Sequence, residues 1–355
     1  MTTLVTTISL CMIVKNEEKF IKRCLECLKD IADEIIIVDT GSTDRTKEIA
    51  GNYTPGIYDF EWVDDFAAAR NFCFSKATMD YIYTADADEV IDDDNIKKFL
   101  LLKSDISPDV DIVEMQYTNQ LEKGSTYNFD EENRPKLFKR LRTFRWIDPI
   151  HEVIDCYNNV LTSDIKIIHK PEEGHFQRDL SIFVKSTGNG QVLNSRLHMM
   201  YARELFICGT DEDFLKAFDY FNRSLMEETL KPDDKRLSYC VLARYYNLIS
   251  DAHNLFKVIT KTLNGVVSSE ICCELGSYYM KMEDYEEALY WYYLASGAAS
   301  ADLNIDYMNF IPNFQMCRCF IKLGDMTEAL KHNSLAEFYK PNHPDVLANK
   351  QILIY

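Results

Sequence analysis

The sequence predicts an α/β domain over residues 1–178, followed by an all-α domain of paired helices over residues 179–355. Two apolar runs, Ile35 to Val38 and Tyr81 to Tyr83, show no polar alternation and so read as strands buried on both faces, as in a parallel sheet. Each run is followed by acidic residues, Asp39 after the first and Asp86, Asp88 and Glu89 after the second. In open α/β sheets that is the end of the strand where ligands bind. From about Leu180 onward, β-branched runs give way to helical spacing, which places the boundary between residues 175 and 190.

The chain's 355 residues are enough to bury a sizeable core and favour two domains. The formal net charge of -18 argues against nucleic acid or an anionic membrane as partner, despite a local basic stretch between Arg134 and Arg145. No apolar stretch approaches the roughly 18 residues of a membrane span. The N-terminal MTTLVTTISL lacks the basic region of a signal peptide, and a cytoplasmic location is expected. The 11 cysteines, an odd number, read as free thiols in a reducing compartment. Cys24 and Cys27 form a C-x-x-C, but the helical periodicity around them points to a structural role.

Thr6 to Val14 predicts the first strand, ended by the polar turn Lys15–Asn16–Glu17–Glu18. Phe20, Cys24, Cys27 and Leu28 then share a helix face. After the second strand, Asp39, the turn-permitting Gly41 and the caps Ser42, Thr43 or Asp44 lead into a helix. Strand, acid, glycine turn and capped helix together describe a nucleotide pocket, although neither G-x-G-x-x-G nor G-K-[ST] is present. A short extended segment runs from Tyr58 to Trp62, and Asp64 or Asp65 caps the helix FAAARNFCFSKA. Arg70 lies inside that helix, from where its five donors suit a diphosphate better than a lysine would. Asp92 to Asp94 start a further helix, as the helix dipole prefers. Asp111 to Tyr117 predicts a strand, Leu121 to Asp130 a loop or hairpin, and Asp164 to Lys170 a strand that delivers His169 to its end before Pro171–Gly174 breaks it.

In the second domain, GSYYMKMEDYEEALYWYYLA and CRCFIKLGDMTEALKHNSLA align with Ala288 over Ala329, Ala295 over Ala336 and Met282–Glu283–Asp284 over Leu323–Gly324–Asp325. A weaker copy has Ala217 in the same place. These units resemble tetratricopeptide repeats, in which a small residue lets two helices approach and a late proline such as Pro341 ends the unit. Most of the aromatics from Tyr278 to Tyr293 are expected in the core of the helix pairs.

The segments SLCMIVKNEE, IIIVDTGSTDRT, DDFAAARNF, ADADEV and IHEVI, in that order between Thr7 and Lys170, resemble glycosyltransferase family 2. The resemblance implies a GT-A (Rossmann-like) nucleotide-sugar domain followed by an all-α tetratricopeptide-like domain. It implies that Asp39 binds the nucleotide base and that Val14, Asn16, Glu17, Gly41, Ser42, Arg70, Asp86 and Ala87 contribute to holding a nucleoside diphosphate sugar such as a UDP-hexose. It further implies that Asp86 and Asp88 hold a divalent cation, Mn²⁺ or Mg²⁺. The helical tail makes the chain similar to bacterial members that glycosylate peptides or proteins, with surface-glycan synthesis as the alternative reading and a non-catalytic binding scaffold as the one from another class.

The residues support that chemistry on their own terms. Two carboxylates separated by one residue in a tight turn can approach one cation, which bridges substrate phosphates. His169 offers a nitrogen ligand to the metal, or else a core histidine. An inverting transfer needs a base, for which Glu152 comes first, His151 second and Asp148 third. Glu152 equally suits a role in ordering a neighbouring cation. Glu89 is expected to support the loop or approach the acceptor. The repeats are expected either to hold a peptide or protein acceptor or to mediate self-association.

Overall fold

The computed structural model describes residues 6–118, 131–156, 158–170, 176–188, 190, 192–228, 230–262, 265 and 267–353. The loop or hairpin expected over 121–130 and the break at 171–174 lie outside the described residues. The chain divides into two compact units, Met1–His175 and Phe176–Tyr355.

The first unit runs β1 (Ile8–Val14), α1 (Ile21–Leu28), β2 (Glu34–Asp39), α2 (Thr46–Ala50), β3 (Ile57–Asp59), α3 (Phe66–Phe74), β4 (Tyr81–Thr84), β5 (Glu89–Val90), α4 (Asp93–Asp105), β6 (Ile112–Thr118), β7 (Glu132–Lys139), β8 (Trp146–Ile147), β9 (Val153–Ile154) and β10 (Val160–His169). Eight strands form one sheet in the order β3-β2-β1-β4-β7-β6-β10-β5, and β8 and β9 form a separate two-stranded ribbon. The β3-β2-β1-β4 half is parallel, while β7 runs antiparallel between β4 and β6.

The unbroken apolar runs follow from burial on both faces. Ile8, Leu10, Met12 and Val14 of β1 join one core with Ile21, Leu25 and Leu28 of α1 and Phe99 of α4. Cys11 points to the other face, where Ile36, Val38, Ile82 and Cys73 of α3 collect. Helix α3 therefore packs on the face opposite α1. Of the two caps the sequence offers, Asp64 and Asp65, it is Asp65 that accepts from Ala68 N–H, at 2.9 Å. At α2, of the three candidates Ser42, Thr43 and Asp44, it is Asp44 that accepts from the Thr46 amide and hydroxyl, from one residue before the cap position, where Arg45 makes no capping bond and pairs with Glu48.

The second unit is all helix: α5 (Phe176–Gly188), α6 (Ser195–Cys208), α7 (Asp211–Ser224), α8 (Pro232–Leu248), α9 (Ala252–Ile259), α10 (Ser269–Lys281), α11 (Tyr285–Gly297), α12 (Phe310–Leu323), α13 (Met326–Tyr339) and α14 (Pro344–Leu353). The aligned units fall on α10/α11 and α12/α13, and Ala288, Ala295, Ala329 and Ala336 are all fully buried. The match extends to the turns. Glu283 and Gly324 both adopt positive φ, 60° and 82°, and Asp284 and Asp325 both cap the next helix. The α8/α9 turn repeats this arrangement with Ser250 at φ 60° and Asp251 as cap. That copy is hard to read in sequence because Leu255 stands where the others carry alanine. Of the aromatics expected inside, Tyr292 is buried, whereas Tyr290 and Tyr293 are exposed. Among the described residues no helix is long and apolar enough to cross a membrane.

Candidate functional site

Strands β2, β1 and β4 are parallel neighbours, so their C-terminal ends open onto one edge of the sheet. At the end of β2, Asp39 is buried, and its Oδ2 accepts from the amides of Gly41 at 3.1 Å and Ser42 at 2.9 Å. Gly41 has φ 101°, a left-handed conformation that favours glycine. The other oxygen, Oδ1, is buried without a partner among the described residues.

The β1–α1 and β2–α2 loops interlock above this carboxylate. Asn16, at φ 57°, donates its amide to Ser42 Oγ at 2.9 Å and accepts from the Thr43 amide at 2.8 Å. The Glu17 amide donates to Thr46 Oγ1 at 2.7 Å and the Glu18 amide to Asp44 at 3.1 Å. The Ser42 hydroxyl is thus tied to the β1–α1 backbone and the Asn16 carboxamide to the β2–α2 backbone, so each side chain bridges the two loops. Val14 closes the strand beneath it, its carbonyl accepting from the Thr40 amide at 2.9 Å.

At the end of β4 the chain turns through Asp86, Ala87 and Asp88 into the short strand β5. Glu89 N–H closes that turn on the Asp86 carbonyl at 3.1 Å. Strand β5 pairs antiparallel with the end of β10, with Glu89 opposite His169, and Lys170 N–H donates to the Asp88 carbonyl. This pairing places His169 Nε2 3.1 Å from Asp88 Oδ2. Ala87 is buried, while the Asp86 side chain is 41% exposed.

Arg70 reaches the same turn from α3. It donates to Asp86 Oδ1 at 3.0 Å, Thr84 Oγ1 at 3.0 Å and Glu152 Oε1 at 2.5 Å, and its guanidinium lies 5.1 Å from the centre of the Trp146 ring. Its side chain is only 13% exposed, so it is no ordinary surface arginine. Burial works against its charge, but Asp86 and Glu152 outweigh that and hold the guanidinium firmly protonated. Burial likewise raises the cost of charge on Asp86, yet Arg70 and Lys136 hold its carboxyl below the usual carboxylate range. The arrangement thus keeps Asp86 ionised while its side chain stays partly exposed.

Glu89 takes the supporting place expected of it. It is buried 2.6 Å from Lys136 Nζ, and burial pushes its carboxyl up to about 7, against the pull of Lys136 and with Asp86 adding to the rise. Lys136, Thr84 and Asn71 are residues of the site to which sequence reasoning gave no role. Glu89, the carboxylate that Lys136 pairs with, lies 47 residues away, and no local pattern announces it. The three base candidates all sit in or beside the turn of the β8–β9 ribbon. Glu152 is engaged with Arg70, while Asp148 and His151 adopt positive φ of 73° and 49°.

Elsewhere, Cys240, Glu270 and Asp302 converge, but Glu270 accepts from the amides of Asp302, Leu303 and Asn304, and Asp302 pairs with Arg236. That cluster ties a loop to a helix. A cavity of about 350 Å³ beside Asp111, Arg142 and Cys156 lies at the start of β6, the opposite end of the sheet from Asp86.

Residues 9–161 match the model for glycosyl transferase family 2. Over 149 residues the chain is 35% identical to a TPR repeat-containing protein of Synechococcus elongatus, covering 42% of this chain and 35% of that protein. It is 28% identical over 244 residues to the SPbeta prophage-derived glycosyltransferase SunS of Bacillus subtilis, covering 62% of this chain and 53% of that one. The chain therefore spans about half or less of the length of these curated relatives. Among solved structures, Staphylococcus aureus TarS 1-349 aligns over 82% of this chain and 90% of that one at 14% identity with a TM-score of 0.35. Glucosyl-3-phosphoglycerate synthase from Mycobacterium tuberculosis aligns over 54% and 82% at 13% identity with a TM-score of 0.39. The N-terminal unit is a Rossmann-like β/α domain, of which residues 9–161 are similar to the family 2 model, and an all-α helical region follows it.

Proposed function

We propose that this chain is a metal-dependent, inverting glycosyltransferase that moves a sugar from a nucleoside diphosphate sugar, of which a UDP-hexose fits best, to a peptide or protein side chain. The observation that carries the reading is the pair of contacts in the turn after β4, Arg70 3.0 Å from Asp86 and His169 3.1 Å from Asp88, at the same end of the parallel strands as the buried Asp39. The family match over residues 9–161 and the glycosyltransferase named among the relatives support it.

The donor set suits a hard divalent cation. Two carboxylates and an imidazole favour Mn²⁺ or Mg²⁺ over a thiophilic metal, and Asp86 is open to the cleft. A cation held by Asp86, Asp88 and His169 would supply charge stabilisation to the departing diphosphate. Asp39 binds the base: with Oδ2 committed to Gly41 and Ser42, Oδ1 is the atom to accept an imide N–H, which uracil has and cytosine lacks. Arg70 adds a fixed positive charge at the position where charge develops as the glycosidic bond breaks. Glu152 is the base of first choice. Arg70 takes its Oε1, leaving Oε2 to receive the acceptor proton; His151 and Asp148 follow it in order.

The helical unit, built of tetratricopeptide-like pairs, holds the acceptor, as stacked helix pairs present extended binding surfaces. The test is a screen of UDP- and GDP-sugars with Mn²⁺, scored by sugar release and repeated after chelation. One donor consumed only with metal is the expected result. No turnover of any donor would defeat the reading, and transfer to a glycan in preference to peptides would defeat its acceptor half.

A further inference from the structure

The β8–β9 ribbon carries all three base candidates, yet its two strands contain only two residues each. A two-stranded ribbon of that length does not hold itself in water. Its turn is also strained, because Asp148 and His151 are non-glycine residues in left-handed conformations. Something outside it must set its position: Ile112, Phe138 and Phe144 pack on the apolar side chains of Trp146 and Ile154, with the Phe138 ring 5.7 Å from that of Trp146, and α3 makes the polar contacts that follow.

The Phe66 amide, at the start of α3, donates to the Pro149 carbonyl at 2.8 Å. One turn later Arg70 holds Glu152. Asn71 then grips the ribbon by its backbone: its Nδ2 donates to the Trp146 carbonyl at 2.9 Å, and its Oδ1 accepts from the Trp146 amide at 2.9 Å. Asp155 N–H donates to the Arg145 carbonyl, so the neighbouring Trp146–Ile154 pair is the type whose own N–H and C=O point away from the partner strand. The carboxamide of Asn71 satisfies both groups at once, in the place a third strand would take. Phe74, a turn further on, meets the edge of the Trp146 ring at 5.8 Å.

We propose that Asn71 is a positioning residue for the transfer reaction: its two-point grip on Trp146 sets the β8–β9 ribbon so that Glu152 stands against Arg70 at the Asp86 end of the cleft. This rests on the transferase reading and adds to it a residue that touches neither donor nor metal. Asn71 acts on turnover through Glu152, and donor affinity is set elsewhere, at Asp39 and the β1–α1 and β2–α2 loops.

The experiment compares Asn71→Asp, Glu152→Gln and the double variant in the full chain with Mn²⁺. The aspartate keeps the acceptor for the Trp146 amide but turns a repelling oxygen on the Trp146 carbonyl. Donor hydrolysis gives kcat and KM, and UDP titration gives affinity. We expect kcat to fall at least ~10-fold in Asn71→Asp with KM and UDP affinity within ~2-fold, and the double variant to be no slower than the slower single one, since coupled residues are non-additive. Unchanged kcat, a loss carried by KM, multiplying losses, or an inert Glu152→Gln would each overturn the proposal. Should Asn71→Asp not fold, Asn71→Ser is measured in the same way and by hydrogen exchange. Protection lost at the Trp146 amide, with β1 and β4 unchanged, supports the grip, and full retention at Trp146 overturns it. If the wild-type chain turns over no donor, the transferase reading has failed, and the exchange measurement still decides whether Asn71 holds the ribbon.

Discussion

At the residue scale, the site is governed by one cation shared among three oxygens. Arg70 meets Asp86, Thr84 and Glu152 with a planar fork that lysine cannot reproduce. Arg70→Lys is therefore expected to lose two of the three bonds and lower kcat/KM for donor turnover by about 100- to 10,000-fold, at about 1.5–3 kcal/mol per charged hydrogen bond; steady-state kinetics on variants with a native circular dichroism spectrum would check it. A second residue-scale expectation concerns His198 in the helical unit. It is buried, with Nδ1 2.8 Å from the Tyr220 hydroxyl and Nε2 3.0 Å from Ser238 Oγ, and burial lowers its pKa below 6.5. The unfolded chain then binds a proton that the folded chain refuses. Its contribution to stability is complete above about pH 6.5 and is lost as the pH falls below that value. The melting temperature should drop between pH 7 and 5.5, and drop less in His198→Gln; equal slopes would show that another group is responsible.

At the element scale, close approach of helices sets the tolerances. A Cβ built on Gly276 of α10 would lie 2.7 Å from ring carbons of Tyr292 on α11, and that ring is fully buried and cannot swing away. Gly276→Ala should destabilise the helical unit by about 1–3 kcal/mol, the usual cost of overpacking. Thermal unfolding would measure it, and Gly297→Ala, where a Cβ meets nothing within 4 Å, is the matched control. Much of this level was legible beforehand. The Asp64–Asp65 pair announced the cap of α3, which of the two being left to the fold, and the alignment of Ala288 with Ala329 carried with it the shared turn at Glu283 and Gly324. The α8/α9 copy was not, because Leu255 replaces the small residue that marks the others.

At the scale of the whole molecule, the net charge of -18 sets the terms for an anionic donor. Asp88 and the partly exposed Asp86 at the strand end would repel a diphosphate unless a divalent cation stands between them. Mn²⁺ at 100 times its dissociation constant should stabilise the folded chain by about 2.7 kcal/mol. The melting temperature should rise with Mn²⁺ in the wild type and stay flat in Asp88→Ala; a rise that survives that substitution would place the metal elsewhere.

The sequence by itself determined what depends on neighbours along the chain: the doubly buried strands, the helix caps, the paired helices and the carboxylates that end β2 and β4. Those features are written in periodicity and in residue types a few positions apart. Only the tertiary structure decided which side chains meet. Glu152 reaches Arg70 across 82 residues, His169 reaches Asp88 across 81, Asn71 reaches Trp146 across 75 and Lys136 reaches Glu89 across 47. Such contacts are set by strand order and register, since pairing β5 against β10 puts His169 beside Asp88 and packing α3 behind β1 puts Arg70 beside Asp86. A polar residue does not encode its partner in its own neighbourhood, and so its role emerges only when the sheet is assembled.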